Sequence, residues 1–502
     1  MNNYLAISLS PIYKTISFAR KTREIWVASY LFSYLMKSLC KALSEYGEII
    51  IPFQPTNKDS IIGYGGFPDR MIMIHTSNSP EIAKKIINEV LEKFASSLKL
   101  DVAIVKTYFT ISTLFINDGE LAELHLSDEE LNKSPIHKIN ALLDTADMSP
   151  NYNKENLSVI PSLFSWDTLH NCYGLSFQNK DYQFPSLRTI ASHDIVNAGN
   201  IELLNKDQEE YSEADKVALK NVKFKKYHNY IAILHADGDN FGKVISSLGS
   251  DKDKIKQFSE QLFEFTRQTA EIIKTYGGVP IYIGGDDIMC FSPVKNNTED
   301  IFSLIQIINT AFSNCFPDNQ CFGINVSMSY GLSITYTKYP LNEAIQLSHD
   351  LLSYHAKDKD KNPDKRTLSM ELMLHSGQSR KIDLQFGENG SFMQFQHLLT
   401  SFTDKEEILN SLTQQFIEDD AMLIAICQAE NASERLKGYF DHRFNIADKK
   451  SEKSNFINGI RSYLFDLVKK HQSKLSDTFV VKDILAQTNT LCRIIKFLQT
   501  NE

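Results

Sequence analysis

Apolar residues along the first 130 positions switch between strand-like runs and helix-like spacing. "YLAISLS", "EIIIPF" and "RMIMIHT" are short apolar runs that predict buried strands. Between the first two runs, the segment from Thr22 opens with charged residues and ends just before Gly47, which is typical of a long helix. The segment after the third run opens with Ser-Pro and a glutamate, another helix start. The order strand, helix, strand, strand, helix predicts a ferredoxin-like unit over residues 1–130.

The same order returns over residues 226–378. "NYIAILH" predicts a strand, and the segment after it has helical spacing, with apolar side chains at Ile255, Phe258, Leu262, Phe265, Ile272 and Tyr276. A hairpin around Gly284, a helix, a strand and a further helix are predicted next. This region therefore predicts a second ferredoxin-like unit.

Two other regions differ from these units. Periodicity is weak over residues 131–225, which are rich in Asn, Ser and Lys and predict a connecting, mainly helical region. Over residues 379–502 only helical spacing is apparent, which predicts a C-terminal helical bundle. The predicted fold class is α+β, with two ferredoxin-like domains, a connecting region and a bundle.

Composition narrows the class of protein. The 502 residues are 42% hydrophobic and 23% charged, as in ordinary globular proteins. None of the seven cysteines forms a C-x-x-C pair, so a zinc ribbon or a disulfide framework is not expected. No apolar run is long enough for a membrane helix and no signal peptide pattern is present, so we expect a cytoplasmic protein with no membrane partner. The net charge of −9 argues against wrapping nucleic acid by bulk electrostatics, so any RNA should be held largely by partners.

Four aspartates form the candidate site. Asp286 and Asp287 follow two glycines at the tip of the predicted hairpin, and Asp237 and Asp239 follow the strand "NYIAILH". The first strand and the central hairpin are neighbours in a ferredoxin-like sheet, so these carboxylates should meet. Like charges at one sheet end are unfavourable without cations. Two Mg²⁺ or Mn²⁺ ions fit such oxygen ligands, and a pair of them is the arrangement used for nucleotidyl transfer.

Neighbouring backbone predicts a phosphate site. Gly284 and Gly285 form the turn and leave room for a triphosphate beside the backbone. The amides of Asn240, Phe241 and Gly242 should point at phosphate oxygens from the start of the next helix. By itself, Gly-Gly followed by Asp is also a common structural turn. The D-G-D-N strand end in the same unit favours a functional site over that alternative.

At these residues the chain resembles a known family. "HADGDNFGK" and "YIGGDD" resemble the active palm of the large polymerase-like subunit of type III CRISPR effector complexes, a family related to GGDEF cyclases and class III nucleotide cyclases. "SFARKTREIWVASYLFSYL" at 17–35 and "FPSLRTIASHDI" at 184–195 are similar to further stretches of that family and point to its III-B branch. The resemblance covers both ferredoxin-like units, which it identifies as palms, and the link between them.

The resemblance implies roles for individual residues. Two metal ions would be held by Asp237, the carbonyl of Gly238, Asp286 and Asp287, of which the three aspartates are the catalytic residues. By the same resemblance Ser329 and Gly331 line the base and ribose pocket, and Lys357 reaches the triphosphate. The full set of predicted nucleotide-binding residues is Asp239, Asn240, Phe241, Gly242, Gly284, Gly285, Ser329, Gly331 and Lys357. Without the resemblance, Lys357 would be an ordinary solvated lysine.

The implied function is a target-RNA-activated, metal-dependent nucleotidyltransferase that makes cyclic oligoadenylate from ATP. Some members of the family instead join AMP to S-adenosylmethionine, and the sequence does not choose between these acceptors. A non-catalytic RNA-binding scaffold and a stand-alone cyclase or dinucleotide synthase are the alternatives. The implied partners are guide RNA, target RNA and the other subunits of a III-B ribonucleoprotein.

Three departures from the family pattern also carry expectations. The first palm-like strand starts at Tyr4, so the family's N-terminal histidine-aspartate nuclease domain is not expected. No four-cysteine zinc site is available. The first palm has no D-x-D or G-G-D-D motif, so we expect it to be structural or to hold a second nucleotide.

Overall fold

Four antiparallel strands form the first sheet of the computed structural model. The structure describes residues 2–55, 64–76, 80–126, 134–148, 159–176, 184–195, 212, 224–296, 299–358, 362–387, 390–401, 406–444 and 452–499. The strands are β1 (Asn3–Ser10), β2 (Gly47–Ile51), β3 (Arg70–His75) and β4 (Thr110–Asn117), in the order β2-β3-β1-β4. Five helices belong to this unit, namely α1 (Ile12–Phe18), α2 (Thr22–Leu43), α3 (Pro80–Leu98), α4 (Val102–Tyr108) and α5 (Asp118–Glu123). The ferredoxin-like prediction is confirmed, with β4 as the closing strand.

Helix α2 forms where the sequence pattern places it. The Glu24 carboxylate accepts hydrogen bonds from the backbone amides of Arg20 (2.7 Å) and Lys21 (3.2 Å), which satisfies donors at the helix start. One face of the helix is buried, and Trp26, which is 1% exposed, stacks on Tyr30 with ring centroids 4.8 Å apart. This buried aromatic face fixes α2 against the rest of the unit.

The described parts of the connecting region are helical, as predicted. They contain α6 (Pro135–Asp147), α7 (Val159–Leu163), α8 (Trp166–Ser176) and α9 (Leu187–Ala191), and a 3₁₀ turn (Lys226–Asn229) leads into the second unit. A buried hydrogen bond fixes the end of this region: the Lys225 amide donates to His228 Nδ1 at 2.9 Å, so the other ring nitrogen, Nε2, donates to the Asp194 carboxylate, 2.9 Å from Oδ1. The neighbouring Tyr227 hydroxyl donates to the same carboxylate at 3.4 Å.

The second sheet has six main strands. They are β5 (Tyr230–Asp239), β6 (Val279–Gly284), β7 (Asp287–Pro293), β12 (Ser327–Tyr336), β13 (Thr367–Met373) and β14 (Ser379–Gln385), in the order β14-β13-β12-β5-β7-β6. Two small hairpins consist of the two-residue strands β8 (Lys295–Asn296), β9 (Glu299–Asp300), β10 (Gln320–Cys321) and β11 (Ile324–Asn325). The helices are α10 (Phe241–Leu248), α11 (Lys252–Tyr276), α12 (Ile301–Cys315) and α13 (Leu341–Leu351), and a π turn (Leu352–Ala356) continues α13. The four strands β6-β7-β5-β12, counted from the β6 edge, repeat the order β2-β3-β1-β4 of the first sheet, which confirms the second ferredoxin-like unit.

The sheet extends beyond the predicted domain end at residue 378. Strand β14 pairs with β13 along seven residues, so the prediction of helix alone after residue 379 is wrong for Ser379–Gln385. This segment reads "SRKIDLQ", and only Ile382 and Leu384 are buried. A polar edge strand has no continuous apolar run, so its sequence pattern is weak.

Six helices form the C-terminal region, as predicted from residue 391 onward. They are α14 (Ser391–Thr400), α15 (Glu406–Glu418), α16 (Asp420–Cys427), α17 (Ala432–Arg443), α18 (Glu452–Lys470) and α19 (Thr478–Gln499). Helix α19 packs against α15, α16 and α18 and also against β14, which joins the bundle to the second sheet. Within the described ranges, no helix is long and apolar enough to cross a membrane.

The two ferredoxin-like units pack reciprocally. Helix α2 of the first unit lies on β6 of the second, and α11 of the second lies on β2 of the first. The backbone of Gly65 donates to the carbonyl of Ile281 (3.4 Å) and accepts from the amide of Ile283 (2.9 Å). The loop before β3 is therefore held alongside the strand that leads into the β6–β7 hairpin.

Candidate active site

Strand pairing brings the two acidic segments together. Strands β5 and β7 are antiparallel neighbours, and Ala236 pairs with Ile288. Continuing this register by one residue places Asp237, near the end of β5, opposite Asp287, the first residue of β7. The predicted convergence of these two carboxylates is present.

The hairpin turn adds a third carboxylate. Gly284 pairs with Asp287, so Gly285 and Asp286 form a two-residue turn. Gly285 has φ of 78°, a value that suits the glycine of a type II′ hairpin. A Cβ atom on Gly238 would lie 2.8 Å from the Cβ of Asp286, so the bare backbone of Gly238 allows the turn to approach β5 closely. Three aspartates thus gather at one end of the sheet.

The cluster is electrostatically strained. Burial, followed by the charges of Asp237 and Asp287, raises the pKa of Asp286 well above its usual value. Burial and the charge of Asp237 raise the pKa of Asp287 to about 7, although Lys357 opposes the shift. Both side chains remain partly exposed, so the cluster can exchange ions with solvent.

Lys357 lies among these carboxylates. Its ammonium contacts the Asp237 carboxylate and donates to the Gly238 carbonyl at 3.0 Å. The side chain is 17% exposed and follows the π turn Leu352–Ala356. An internal cation therefore contacts two of the predicted metal ligands, whereas the predicted role of Lys357 is at the triphosphate.

Asp239 is separate from the exposed carboxylates. It is fully buried, and its Oδ2 accepts from Ser327 Oγ (2.7 Å) and Ser329 Oγ (2.8 Å). Its Oδ1 has no hydrogen-bond partner among the described residues, and the ammonium groups of Lys357 and Lys365 lie 3.9 and 4.0 Å away. Burial raises the pKa of Asp239. This carboxylate ties β5 to β12, and its contact with a nucleotide stays a prediction.

Two other predicted nucleotide contacts also lie in the packed interior. Ser329 is fully buried and uses its hydroxyl on Asp239. Gly331 packs against α13 and the π turn that follows it. A Cβ at this position would come within 2.1 Å of the Ser348 carbonyl oxygen and 2.5 Å of the Leu352 amide nitrogen. Packing explains why position 331 is glycine, and the base and ribose contacts of Ser329 and Gly331 stay predictions.

The start of α10 suits an anion. Asn240 precedes the helix with φ of 68°. Its side-chain amide donates to the Asn325 carbonyl at 3.0 Å, and its side-chain oxygen does not cap the helix. No side chain caps this helix start. The Phe241 ring is buried, while Gly242 is exposed. The contact of the first-turn amides with a phosphate stays a prediction.

The glycines of the hairpin differ in their surroundings. A Cβ on Gly284 would lie 2.0 Å from the Tyr282 hydroxyl, so its missing side chain makes room for this tyrosine. Around Gly285 only Leu262 Cδ1 comes near, at 3.8 Å. Of the two, Gly285 is the position with open space for a ligand.

Sequence reasoning missed two charged neighbours. The charge of Asp69, from the loop before β3 of the first unit, adds to the pKa rise of Asp287. Lys365 approaches Asp239 from the segment before β13. Asp69 lies three residues after the pair Gly65-Gly66 and directly precedes β3, whose place in the first sheet corresponds to that of β7 in the second. That parallel is the signal by which it could have been found.

The donors fit a hard divalent cation. Within the described residues, no three His, Cys, Asp or Glu side chains are already grouped as a metal site. The groups that meet here are carboxylate and carbonyl oxygens, which Mg²⁺ and Mn²⁺ prefer. The Lys357 ammonium already occupies a cation position between Asp237 and the Gly238 carbonyl. Asp237, Gly238, Asp286 and Asp287 are therefore the residues that would hold the ions.

Two family models match the chain. Residues 230–364 match the second palm domain of Cas10/Cmr2, and residues 4–99 match the N-terminal region of the CRISPR-associated protein Cmr2. The CRISPR system Cmr subunit Cmr2 of Pyrococcus furiosus is 29% identical over 201 residues, a match that covers 34% of this chain and 22% of the relative. The chain thus spans less than a quarter of that relative's length.

Solved structures show a similar fold. The apo state of a type III-B Cmr-beta complex contains a chain that matches with a TM-score of 0.55 and 13% identity, covering 84% of this chain and 75% of that one. Cmr-beta bound to cognate target RNA gives 0.52 and 12%, with coverage of 84% and 76%. An apo Csm1–Csm4 cassette gives 0.52 and 12%, with coverage of 99% and 70%. The second-palm match includes all three clustered carboxylates and Lys357.

Proposed function

We propose that this chain, a member of the III-B branch of the Cas10/Cmr2 family, is the nucleotidyltransferase of a type III-B CRISPR effector complex. Its substrate is ATP, its product is cyclic oligoadenylate, and binding of target RNA activates it. The observation that carries this proposal is the meeting of Asp237, Asp286 and Asp287 beside Lys357. Carboxylates forced together at a partly exposed sheet end are the donor set for paired divalent cations in phosphoryl chemistry.

Asp237, Asp286, Asp287 and the Gly238 carbonyl would hold two Mg²⁺ or Mn²⁺ ions. When bound, such ions lower the pKa of the attacking hydroxyl and neutralise charge on the triphosphate. Asp286 and Asp287 have raised pKa values, so they release protons as they become ligands. The cluster is thus poised between a protonated and a metal-bound state near neutral pH.

Lys357 and the start of α10 orient the donor nucleotide. The lysine has a flexible stem, and its ammonium can turn from Asp237 to the triphosphate once other cations satisfy that carboxylate. The amides of Phe241 and Gly242 bind phosphate oxygens at the positive end of the helix dipole. A ribose hydroxyl of a second ATP attacks the α-phosphorus, and pyrophosphate leaves.

The chain works within a ribonucleoprotein in the cytoplasm. Its net charge of −9 gives little general attraction for RNA, so partner subunits hold most of the guide and target RNA. Close contact between the two palms allows the first unit to sense and position the hairpin of the second.

The test uses the assembled complex with labelled ATP and Mg²⁺ or Mn²⁺. Product masses are compared with cognate and non-cognate RNA, and with and without S-adenosylmethionine. Cyclic oligoadenylate made only with cognate RNA is the expected result, and it should be absent from the Asp286→Ala, Asp287→Ala double variant. A conjugate of AMP with S-adenosylmethionine would mean that the same site uses the other acceptor. An intact complex that binds RNA but makes no product would identify a scaffold.

A further inference from the structure

A second cavity lies in the first unit, between α2 and α3. Its volume is about 660 Å³, within the range of small-molecule sites. One face of α2 from Tyr30 to Ala42 lines it, with Glu45 just after the helix. Val90, Lys93 and Phe94 of α3 and two aromatic residues of the loop before β3 complete the wall. None of the clustered aspartates and none of the residues around Lys357 lines this cavity. It is therefore separate from the candidate active site.

The charged groups that line the cavity are mostly positive. Lys37, Lys41 and Lys93 are opposed by one carboxylate, that of Glu45. Across the described ranges, none of the three lysines forms an ion pair. Lys37 is half-buried, and burial together with the charge of Lys41 lowers its pKa. The Lys37 ammonium faces the Phe67 ring, 6.0 Å from its centroid, and within the described residues no carboxylate pairs with the three lysines to balance their charges. An anion in the cavity would stabilise these like charges.

The cations are placed to hold an extended anion. Lys37 and Lys41 are four residues apart on α2, so their side chains lie on the same face of the helix. Lys93 projects from the facing helix α3. Ammonium groups from two helices can contact successive phosphates of one ligand.

The rest of the wall is aromatic. Tyr64 and Phe67 are each 3% exposed, and the ring of Tyr34 stacks on that of Phe94 with centroids 6.0 Å apart. Burial raises the pKa of Tyr64 to about 12, so its hydroxyl stays protonated and can donate a hydrogen bond. A purely inorganic anion would use neither this wall nor most of the volume. A ligand with phosphates and an aromatic body uses both.

We propose that this cavity binds a nucleoside polyphosphate, with its phosphates on Lys37, Lys41 and Lys93 and its nucleoside against the aromatic wall. The ammonium groups supply the positive charge, so binding requires no divalent cation. The site is independent of the nucleotidyltransferase proposed above.

The test measures ATP binding to the full chain by calorimetry in EDTA. Lys37→Gln is expected to weaken binding about tenfold or more, the usual effect of losing a charged hydrogen bond. Lys37→Arg should keep most of the affinity because it keeps the charge. Lys85→Gln is the matched control, since Lys85 is exposed on the same helix as Lys93 but lies outside the cavity. Inorganic triphosphate and adenosine should each bind at least tenfold more weakly than ATP.

Several outcomes would overturn the proposal. If the wild type and Lys37→Gln bind ATP equally tightly, Lys37 does not contact the ligand and the proposal fails. If inorganic triphosphate binds as tightly as ATP, the nucleoside makes no contact with the aromatic wall. If single-stranded RNA binds more tightly than ATP and displaces it, the cavity is part of a nucleic-acid surface instead. A folding control uses the melting temperature of Lys37→Gln without ligand. It should equal or exceed that of the wild type because the repulsion between Lys37 and Lys41 is relieved, and weaker ATP binding is then not caused by unfolding.

The same measurement separates this proposal from the enzymatic one. The Asp286→Ala, Asp287→Ala variant should keep metal-free ATP binding in this cavity. If it makes no oligoadenylate and still binds ATP in EDTA, both proposals are supported. If EDTA binding is lost in the double variant, the bound ATP was in the carboxylate site and the separate cavity is refuted.

Discussion

Replacing Asp287 by asparagine should stabilise the metal-free protein at alkaline pH. Asparagine has nearly the shape of a protonated aspartic acid but never acquires charge. In the folded protein the pKa of Asp287 is raised to about 7 by burial and by Asp237, whereas in the unfolded chain it is near the ordinary value of about 3.9. The folded state therefore holds a proton that the unfolded state has lost between about pH 4 and pH 7. Over that window the wild-type protein loses stability as the pH rises.

The size of this effect follows from the shift. A difference of about three pKa units at about 1.36 kcal/mol each sets an upper limit of about 4 kcal/mol. The Asp287 side chain is partly exposed, so screening by solvent reduces the expected gain to about 1–2 kcal/mol. For a unit of about 150 residues, such as the second ferredoxin-like unit, the melting temperature should rise by about 2–6 °C.

The assay is thermal melting in EDTA at pH 5 and pH 8, repeated with Mg²⁺. At pH 5 Asp287→Asn should melt only slightly above the wild type, because about one of the three pKa units has been crossed, and at pH 8 the difference should be largest. Mg²⁺ should raise the melting temperature of the wild type at pH 8 more than that of the variant, because the variant has lost a ligand. Asp253→Asn, on the exposed start of α11, is the control and should change stability by less than about 0.5 kcal/mol. A variant that is no more stable than the wild type at pH 8 would refute the crowding of carboxylates.

Three further predictions test contacts around the site. Lys357→Gln removes the ammonium that contacts the Asp237 carboxylate. Mn²⁺ should therefore bind about tenfold more tightly in calorimetry, while oligoadenylate formation should fall. Unchanged Mn²⁺ affinity would contradict competition between the lysine and the metal. Asp194→Ala leaves the buried Nε2–H of His228 without its acceptor and should cost about 2 kcal/mol in chemical denaturation. A loss under about 0.5 kcal/mol would show that this hydrogen bond matters little. Gly331→Ala places a methyl group against helix backbone, so the melting temperature and activity should both fall, whereas Ala236→Gly, on the neighbouring strand, should lower stability without a clash.

Most of the helices and central strands could be predicted because their signals are local. Helix α11 begins after Asp251, which caps it, and ends at Gly277 with φ of 94°, and both residues are recognisable in the chain. Strand β14 was missed because its residues are mostly polar and its conformation depends on pairing with β13. Pairing between strands depends on the whole sheet, so a segment of seven residues does not reveal it.

For the candidate site, motif and spacing predicted which carboxylates meet, but not their environments. Asp237 and Asp239 look equivalent in "ADGDN", yet the first is 37% exposed in its side chain and the second is fully buried against two serines. The structure also brings Lys357 and Asp69 to the cluster from distant parts of the chain.

The amino-acid sequence by itself determined the order of helices and strands, the duplication of the ferredoxin-like unit and the G-G-D-D hairpin, because apolar periodicity and turn residues act over a few neighbours. Only the tertiary structure decided which aspartate is buried, where the lysine lies and which lysines line the second cavity. Burial and charge interactions depend on distances between segments that are far apart in the chain, and those distances exist only after the sheets and helices have packed.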